Sequence, residues 1–296
     1  MLYKNKSYLP IFILPGFLLM ILFLYEPFVE NIYSSLFDMS SFVKMPGQSY
    51  QFIGLENYRK LFQDSHIRIA LINTFKMIVL TLVFQVGLAF ILAILVNNLR
   101  YGQNFFRIVY LFPIVISATA IGLIFKIFYN YNTGMLNQIL SSMGREPINW
   151  LSPSLAFVMI SIPTLWSHIG FYFILLLTGL NGISEDLYDA AKVDGCTGFK
   201  QIFYIIIPMI RGVLNSCIIL GIAGALKVFD LPWVIAPKGA PRGLTHFLGT
   251  FMYEQTFAIG NIDYGSAIGL LIVIFGVLLS SIINKLHGKD YKEGMY

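Results

Sequence analysis

Charge is scarce in this sequence. Of its 296 residues only 12% are Asp, Glu, Lys or Arg, against 57% hydrophobic and 16% aromatic, whereas ordinary soluble domains carry about 25% charged residues. So few charges cannot cover the surface of a water-soluble fold of this length, but lipid accepts an apolar exterior. Cysteine is scarcer still. Cys196 and Cys217 are too few for a disulfide framework, and the four histidines are scattered. There is no Gly-x-x-x-x-Gly-Lys-Ser/Thr phosphate loop, no His-Glu-x-x-His pair and no nucleophile elbow. P-loop nucleotide hydrolysis, zinc proteolysis and serine-hydrolase chemistry therefore have no residues to stand on, and no metal ligand set is expected.

Long apolar runs are what the chain does have. A membrane-spanning helix needs about 20 largely apolar residues, and six segments qualify: 9–28, 74–96, 107–128, 155–177, 208–229 and 265–283. They are continuous runs, not the short alternating segments of a closed barrel. The expected fold class is all-α, a polytopic membrane bundle of six helices forming one domain over 1–296 with a core of about 70–285. Lys4 and Lys6 precede an apolar run without a small-residue cleavage site, which predicts an uncleaved first helix.

The net charge of +5 is modest, and in a membrane protein a basic excess reports cytoplasmic loops, not nucleic-acid binding. With both termini inside, Lys4, Lys6, Arg100, Arg107, Lys192, Lys200, Arg211, Lys285, Lys289 and Lys292 fall on compact inner segments. Lys44, Arg59, Lys60, Arg68, Arg145, Lys238 and Arg242 are diluted over longer outer loops. The density predicts cytoplasmic N and C termini.

The most informative stretch is the inner loop between the fourth and fifth spans, about 183–208. Ser184 followed by Glu185 and Asp186 is a helix-start pattern, and Gly195 ends that helix. Thr197 is placed to cap a second one beginning near Phe199. Two short helices with a sharp bend would lie across the membrane face. Ala190 and Ala191 give one side a small-residue surface suited to a partner's groove, with Asp189 and Asp194 as anchors. The same pattern would also serve as a plain connector between spans.

Asp189-Ala190-Ala191, Asp194-Gly195, Ile205 and Pro208 resemble the Glu-Ala-Ala loop of binding-protein-dependent ABC import permeases. Gly179, Leu180, Ile183, Leu187 and Tyr188 before it resemble the carbohydrate branch of that family. Asp189 departs from the usual Glu and Cys196 from the common Ala. Further matches run through the chain. They include Ile53-Gly54-Leu55-Glu56-Asn57-Tyr58 in the outer loop of about 29–73, Asn73-Thr74, Phe105-Phe106-Arg107 with Phe112-Pro113, and Gly134 with Asn137. Asn149-Trp150-Leu151, Lys227 with Phe229-Asp230, and Gly265 with Ala267 complete the series.

The resemblance implies a permease without an ATPase site of its own, in the cell membrane. Asp189, Ala190, Ala191, Asp194 and Gly195 would form the coupling helix that docks on an ATPase dimer. The further implied partners are a second homologous permease, an extracytoplasmic solute-binding protein and a carbohydrate, with lipid around the bundle. No cofactor is expected on this chain, ATP and Mg being held by the ATPase subunits. The rival reading is an ion-driven secondary transporter, which should show inverted repeats or deep acids; neither is evident.

A sugar path through a membrane needs hydrogen-bonding and aromatic groups lining a cavity. Thr164, Ser167, His168 and Phe171 lie at i, i+3, i+4 and i+7 of the fourth segment, one face of a continuous helix. That face also suits helix–helix packing. Alignment within the family implies that these four positions, with Ile114 and Ala118 and with Gly221, Gly224, Ala225 and Val228, line the substrate pathway. Lys227 and Asp230, at i and i+3, are expected to satisfy each other, and His168 to be hydrogen-bonded to a neighbouring helix.

Overall fold

The computed structural model describes residues 9–39, 50–99 and 101–293, with side chains described over 12–39, 50–99 and 101–285. Lys4, Lys6, Lys44 and Arg100, which bear on the expected orientation, lie outside the described residues, as do the side chains of Lys289 and Lys292. Among the described residues the structure is helical. The β pairing it shows is one antiparallel bridge, Phe37 with Phe52.

Among the described residues four helices are long and apolar enough to cross a membrane: Phe12–Leu36 (span one), Ser65–Asn97 (span two), Arg211–Ile235 (span five) and Ile262–Lys285 (span six). Two bent pairs supply the others. Gln103–Val115 and Ala118–Phe128 meet at 86° and form span three; Ala156–Trp166 and Ile169–Asn181 meet at 42° and form span four. Six spans are thus present where six apolar runs predicted them, but two of them are broken.

Backbone contacts divide the chain into two compact units, one of residues up to 64 with 252–273, the other of 65–251 with 274 onward. In the first unit, the helix Glu56–Gln63 and the start of span six are tied by buried polar bonds. Asn57 Nδ2 donates to the Ser35 carbonyl at 3.1 Å and to Asp263 Oδ2 at 3.2 Å. The Tyr264 hydroxyl donates to Asp64 Oδ2 at 2.7 Å. The apolar window of span one has none of its residues buried within the chain, as befits a helix whose solvent is lipid.

The second unit holds the main core. Phe173, Leu176, Leu177 and Leu180 on the second half of span four are fully buried against Ala89, Ala93 and Val96 of span two. Alanines let the backbones approach, which is how membrane helices gain packing energy where no hydrophobic drive exists between them. Gly170 does the same toward span three: a Cβ there would strike the Tyr110 backbone carbonyl. At the other end of this unit, Asn73 and Thr74 hold the segment that follows Gly243. Asn73 Nδ2 donates to the carbonyls of Leu244 and His246 at 2.8 and 2.9 Å, and Thr74 Oγ1 accepts from the Leu248 N–H at 3.0 Å. Span two begins at Ser65, so this pair sits well inside the span and not at its opening, where the sequence pattern put it.

Candidate functional site

The loop between spans four and five folds as a helix, Glu185–Val193, then a bend, then a second helical stretch, Phe199–Met209. Its first turn carries Glu185 and Asp186, which meet the positive end of the helix. Ser184 occupies the N-cap position, but its hydroxyl makes no capping bond. The far end is closed by backbone geometry alone. The Cys196 N–H donates to the Ala191 carbonyl at 2.8 Å and the Gly195 N–H to the Lys192 carbonyl at 3.1 Å. This is the paired-bond helix stop that needs a left-handed residue, and Gly195 supplies it at φ +72°. The second helix starts after Gly198, at φ +59°, so its cap position is taken by Gly198 and not by Thr197.

The five residues expected to couple the chain to a motor are brought together on this one element, but they do not share a face. Ala191 is buried against the chain itself, whereas Asp189, Ala190, Asp194 and Gly195 are exposed. Asp189 is not isolated: Lys192 Nζ donates to its Oδ1 at 2.8 Å, and the carboxylate holds the Lys192 ammonium above its ordinary pKa. Large apolar side chains stand out in the loop, Val193 at 88% and Phe199 at 81% exposure. Val193 belongs with Leu187, Ala190 and Ala191 to the partly apolar surface that the sequence offers, whereas Phe199 was legible only as the start of the second helix. Behind the helix lies a cavity of about 810 Å³ lined by Asn97, Asn98, Gln103, Asn181, Tyr188 and Lys192, among others. The Tyr188 hydroxyl is buried there without a hydrogen-bond partner, and burial raises its pKa.

The second constellation is the break in span four. Pro163 has no N–H to give the carbonyl four residues back, that of Met159. The Tyr129 hydroxyl donates to that carbonyl instead, at 2.9 Å. One turn on, the helix stops at Trp166 and restarts at Ile169. Gln85, buried at a π-helical stretch of span two (Thr81–Gly87), donates from Nε2 to the Thr164 and Leu165 carbonyls at 3.0 and 3.1 Å. The break splits the set that a continuous helix would have kept on one face. Thr164 and Ser167 are buried, their hydroxyls donating to the carbonyls of Ile160 and Thr164. His168 and Phe171 are exposed, and His168 Nδ1 lies 2.8 Å from the Ser167 hydroxyl, so its partner is its neighbour in sequence and not another helix.

The other expected pathway residues divide likewise. Ile114 is exposed at the end of the first half of span three, and Ala118 is half-buried at the start of the second half. In span five, Gly224 is exposed and Val228 half-buried, while Gly221 and Ala225 are buried. A Cβ on Gly221 would sit 3.2 Å from the Thr81 side chain of span two, so that glycine serves close packing. Gly224 faces the Tyr172 hydroxyl, 3.9 Å from where its Cβ would be; Tyr172 is one of the polar and aromatic residues that follow Pro163 in the sequence. Aromatic rings gather near the break: Trp166, 41% exposed, lies 6.1 Å from Phe125, and Phe171 stands edge-on to Tyr172 at 5.3 Å.

Lys227 and Asp230 form no ion pair with each other. The helix Arg211–Leu226 ends before Lys227, and Asp230 opens a separate turn, Asp230–Ile235. The i, i+3 proximity of a continuous helix is lost across the interruption at 227–229. Among the described residues no group of three or more His, Cys, Asp and Glu side chains is arranged to hold a metal ion.

The second unit thus combines broken helices with a bent two-helix loop, and the chain's fold is shared by solved structures. A solved structure of a bacterial ABC transporter that imports the acidic polysaccharide alginate has a chain that superposes with a TM-score of 0.82 at 22% identity, covering 97% of this chain and 96% of that one. At that identity the likeness concerns the fold. In sequence, the probable ABC transporter permease protein YurN of Bacillus subtilis is 34% identical over 285 residues, 95% of this chain and 96% of its own length. The trehalose/maltose transport system permease protein MalF of Thermococcus litoralis is 30% identical over 275 residues, 92% of this chain and 90% of its own. The family model of binding-protein-dependent transport system inner membrane components matches residues 85–293. The chain belongs to that family: it is a membrane-embedded permease of the ABC transporter type.

Proposed function

We propose that this permease forms one half of the translocation path of an ATP-driven importer of carbohydrate, paired with a second homologous permease. Two ATPase subunits would hold ATP and Mg, no cofactor being bound by this chain, and a solute-binding protein would deliver the sugar from outside. The carrying observation is the bent loop after span four. It presents Val193, Ala190 and the Asp189–Lys192 pair to solvent on a helix stopped by Gly195, with Phe199 exposed at the start of the next helix. A short helix with an apolar tip and a charged flank fits a groove in a partner. Closure of the ATPase dimer would push this helix, and the broken spans three and four would change which side their polar ends face. The N and C termini lie in the cytoplasm on this reading.

Carbohydrate is favoured as cargo for two reasons. Trp166, His168, Phe171 and Asp230 offer rings and polar groups at the break without a basic cluster, which suits an uncharged, hydroxyl-rich molecule. In addition, relatives at about this similarity are named for arabinooligosaccharides and diacetylchitobiose. The test is uptake by vesicles carrying the complete transporter, with the binding protein supplied, across a panel of labelled sugars. Saturable, ATP-dependent uptake of one sugar class is expected. Asp189→Lys combined with deletion of Gly195 should abolish it while the complex still assembles; undiminished uptake by that variant, or uptake driven by an ion gradient without ATP, overturns the reading.

A further inference from the structure

A second polar cavity, about 670 Å³, lies wholly within the unit formed by the first 64 residues and 252–273. Four carboxylates line it, Asp38, Glu56, Asp64 and Asp263, against one ammonium, Lys60. That balance runs opposite to the chain's net charge of +5. Lys60 already pairs with Glu56 at 3.4 Å in the open, both side chains being more than half exposed.

One buried acceptor in the cavity wall has no partner. Asn57 is fully buried and both its amide hydrogens are engaged, with the Ser35 carbonyl and with Asp263 Oδ2. Its Oδ1 has no donor. Asp263 is 8% exposed and has no lysine or arginine within ion-pairing distance among the described residues. The Tyr264 hydroxyl is used on Asp64, and Asn261 Nδ2 on Gln255 Oε1. The buried Asn57 oxygen is thus left unmatched, which is costly, in a wall that carries more carboxylate than ammonium groups. The Gln63 and Gln255 amides also line the cavity, so charge and not a lack of donors selects the ligand: a guanidinium or ammonium answers the carboxylates, as a neutral sugar hydroxyl does not.

We propose that this cavity receives a basic side chain, arginine or lysine, presented by the extracytoplasmic solute-binding protein when it docks. The inference rests on the import reading above, which places residues 50–64 and the start of span six at the outer face. Asp263 and Asn57 grip the incoming cation, and Glu56 at the exposed rim steers it in.

The test uses the complete transporter in lipid nanodiscs with its sugar-loaded binding protein, measuring the docking Kd at low and physiological salt. Asp263→Asn removes the charge but keeps an acceptor for Asn57 Nδ2. It should weaken docking about tenfold and flatten its salt dependence. Glu56→Lys, on a solvent-exposed side chain outside the buried bonds of Asn57 and Asp263, should slow association in the same direction. ATP hydrolysis without the binding protein should be unchanged in both. Unaltered Kd and salt dependence in both variants overturn the proposal. So does a raised half-saturating sugar concentration with docking intact, which would assign the cavity to sugar, and so does loss of the paired permease from the complex. If Asp263→Asn lowers the thermal stability of the complex, Glu56→Lys decides. A wild-type transporter whose ATP hydrolysis no binding protein stimulates overturns the import reading itself and this inference with it.

Discussion

The side-chain amide of Gln85 in span two donates to two successive carbonyls of span four, those of Thr164 and Leu165. A helix break inside a bilayer frees backbone groups that no water is there to satisfy, and a neighbouring helix must supply the partner. Gln85 is that partner, and the π-helical stretch around it aims the amide at the break. Replacing it with Leu, similar in volume but without donors, should destabilise the permease by about 1–3 kcal/mol. Thermal unfolding of the purified complex measures this; an unchanged midpoint would show that the carbonyls find other donors.

Tyr129 stands in for the hydrogen bond that Pro163 cannot make. Tyr129→Phe should cost about 1 kcal/mol, the net worth of one hydrogen bond. In a Pro163→Ala background, where the helix's own N–H reaches Met159, the same substitution should cost almost nothing. A double-mutant cycle on unfolding midpoints reads the coupling, and additivity of the two changes would refute the substitution of one donor for the other.

Gly195 stops the helix Glu185–Val193 at φ +72°, in open space with nothing within 4 Å of where a Cβ would stand. The penalty of Gly195→Ala is therefore conformational alone, about 1–2 kcal/mol for a left-handed alanine, and it falls on the loop and not on the bundle. Basal ATP hydrolysis of the assembled complex should persist while sugar-stimulated hydrolysis and uptake drop. Equal loss of both activities would indicate failure of assembly instead.

The Asp189–Lys192 pair is exposed on both sides, so its contribution to stability should be too small to resolve. Its trace is a pH effect. The hydrogen bond and charge of Asp189 raise the Lys192 pKa above the unfolded value, so whatever stability the pair adds is fully present at neutral pH and fades only as alkali deprotonates the amine. Asp189→Asn should bring the pH profile of Lys192 acylation down toward that of an ordinary lysine, with the melting temperature between pH 6 and 9 unchanged.

Phe173 is fully buried where span four meets span two. Phe173→Ala should cost about 3–5 kcal/mol, a cavity in a core that cannot collapse around it. The loss should appear as a lower unfolding midpoint and poor recovery of the complex, well beyond the effect of the Gln85 or Tyr129 changes.

Apolar runs of about 20 residues determined that the chain spans a membrane, because no other solvent accepts them, and their number set the count of spans. The bent loop after span four was legible too: Ser184, the acids after it and Gly195 are local signals whose outcome depends on a few neighbouring residues. What the sequence could not reveal is where a run of apolar residues breaks. Periodicity assumes a continuous helix, so it put Thr164, Ser167, His168 and Phe171 on one face and Lys227 beside Asp230; Pro163, Gln85 and the turn at 227–229 undo both. The span-four break is held by side chains from helices distant in sequence, Gln85 and Tyr129, and Asn57 with Asp263 and Tyr264 with Asp64 likewise join residues some 200 apart. Such partners meet only when the bundle packs, and it is their meeting that decides which polar groups are used up within the chain and which are left facing a ligand.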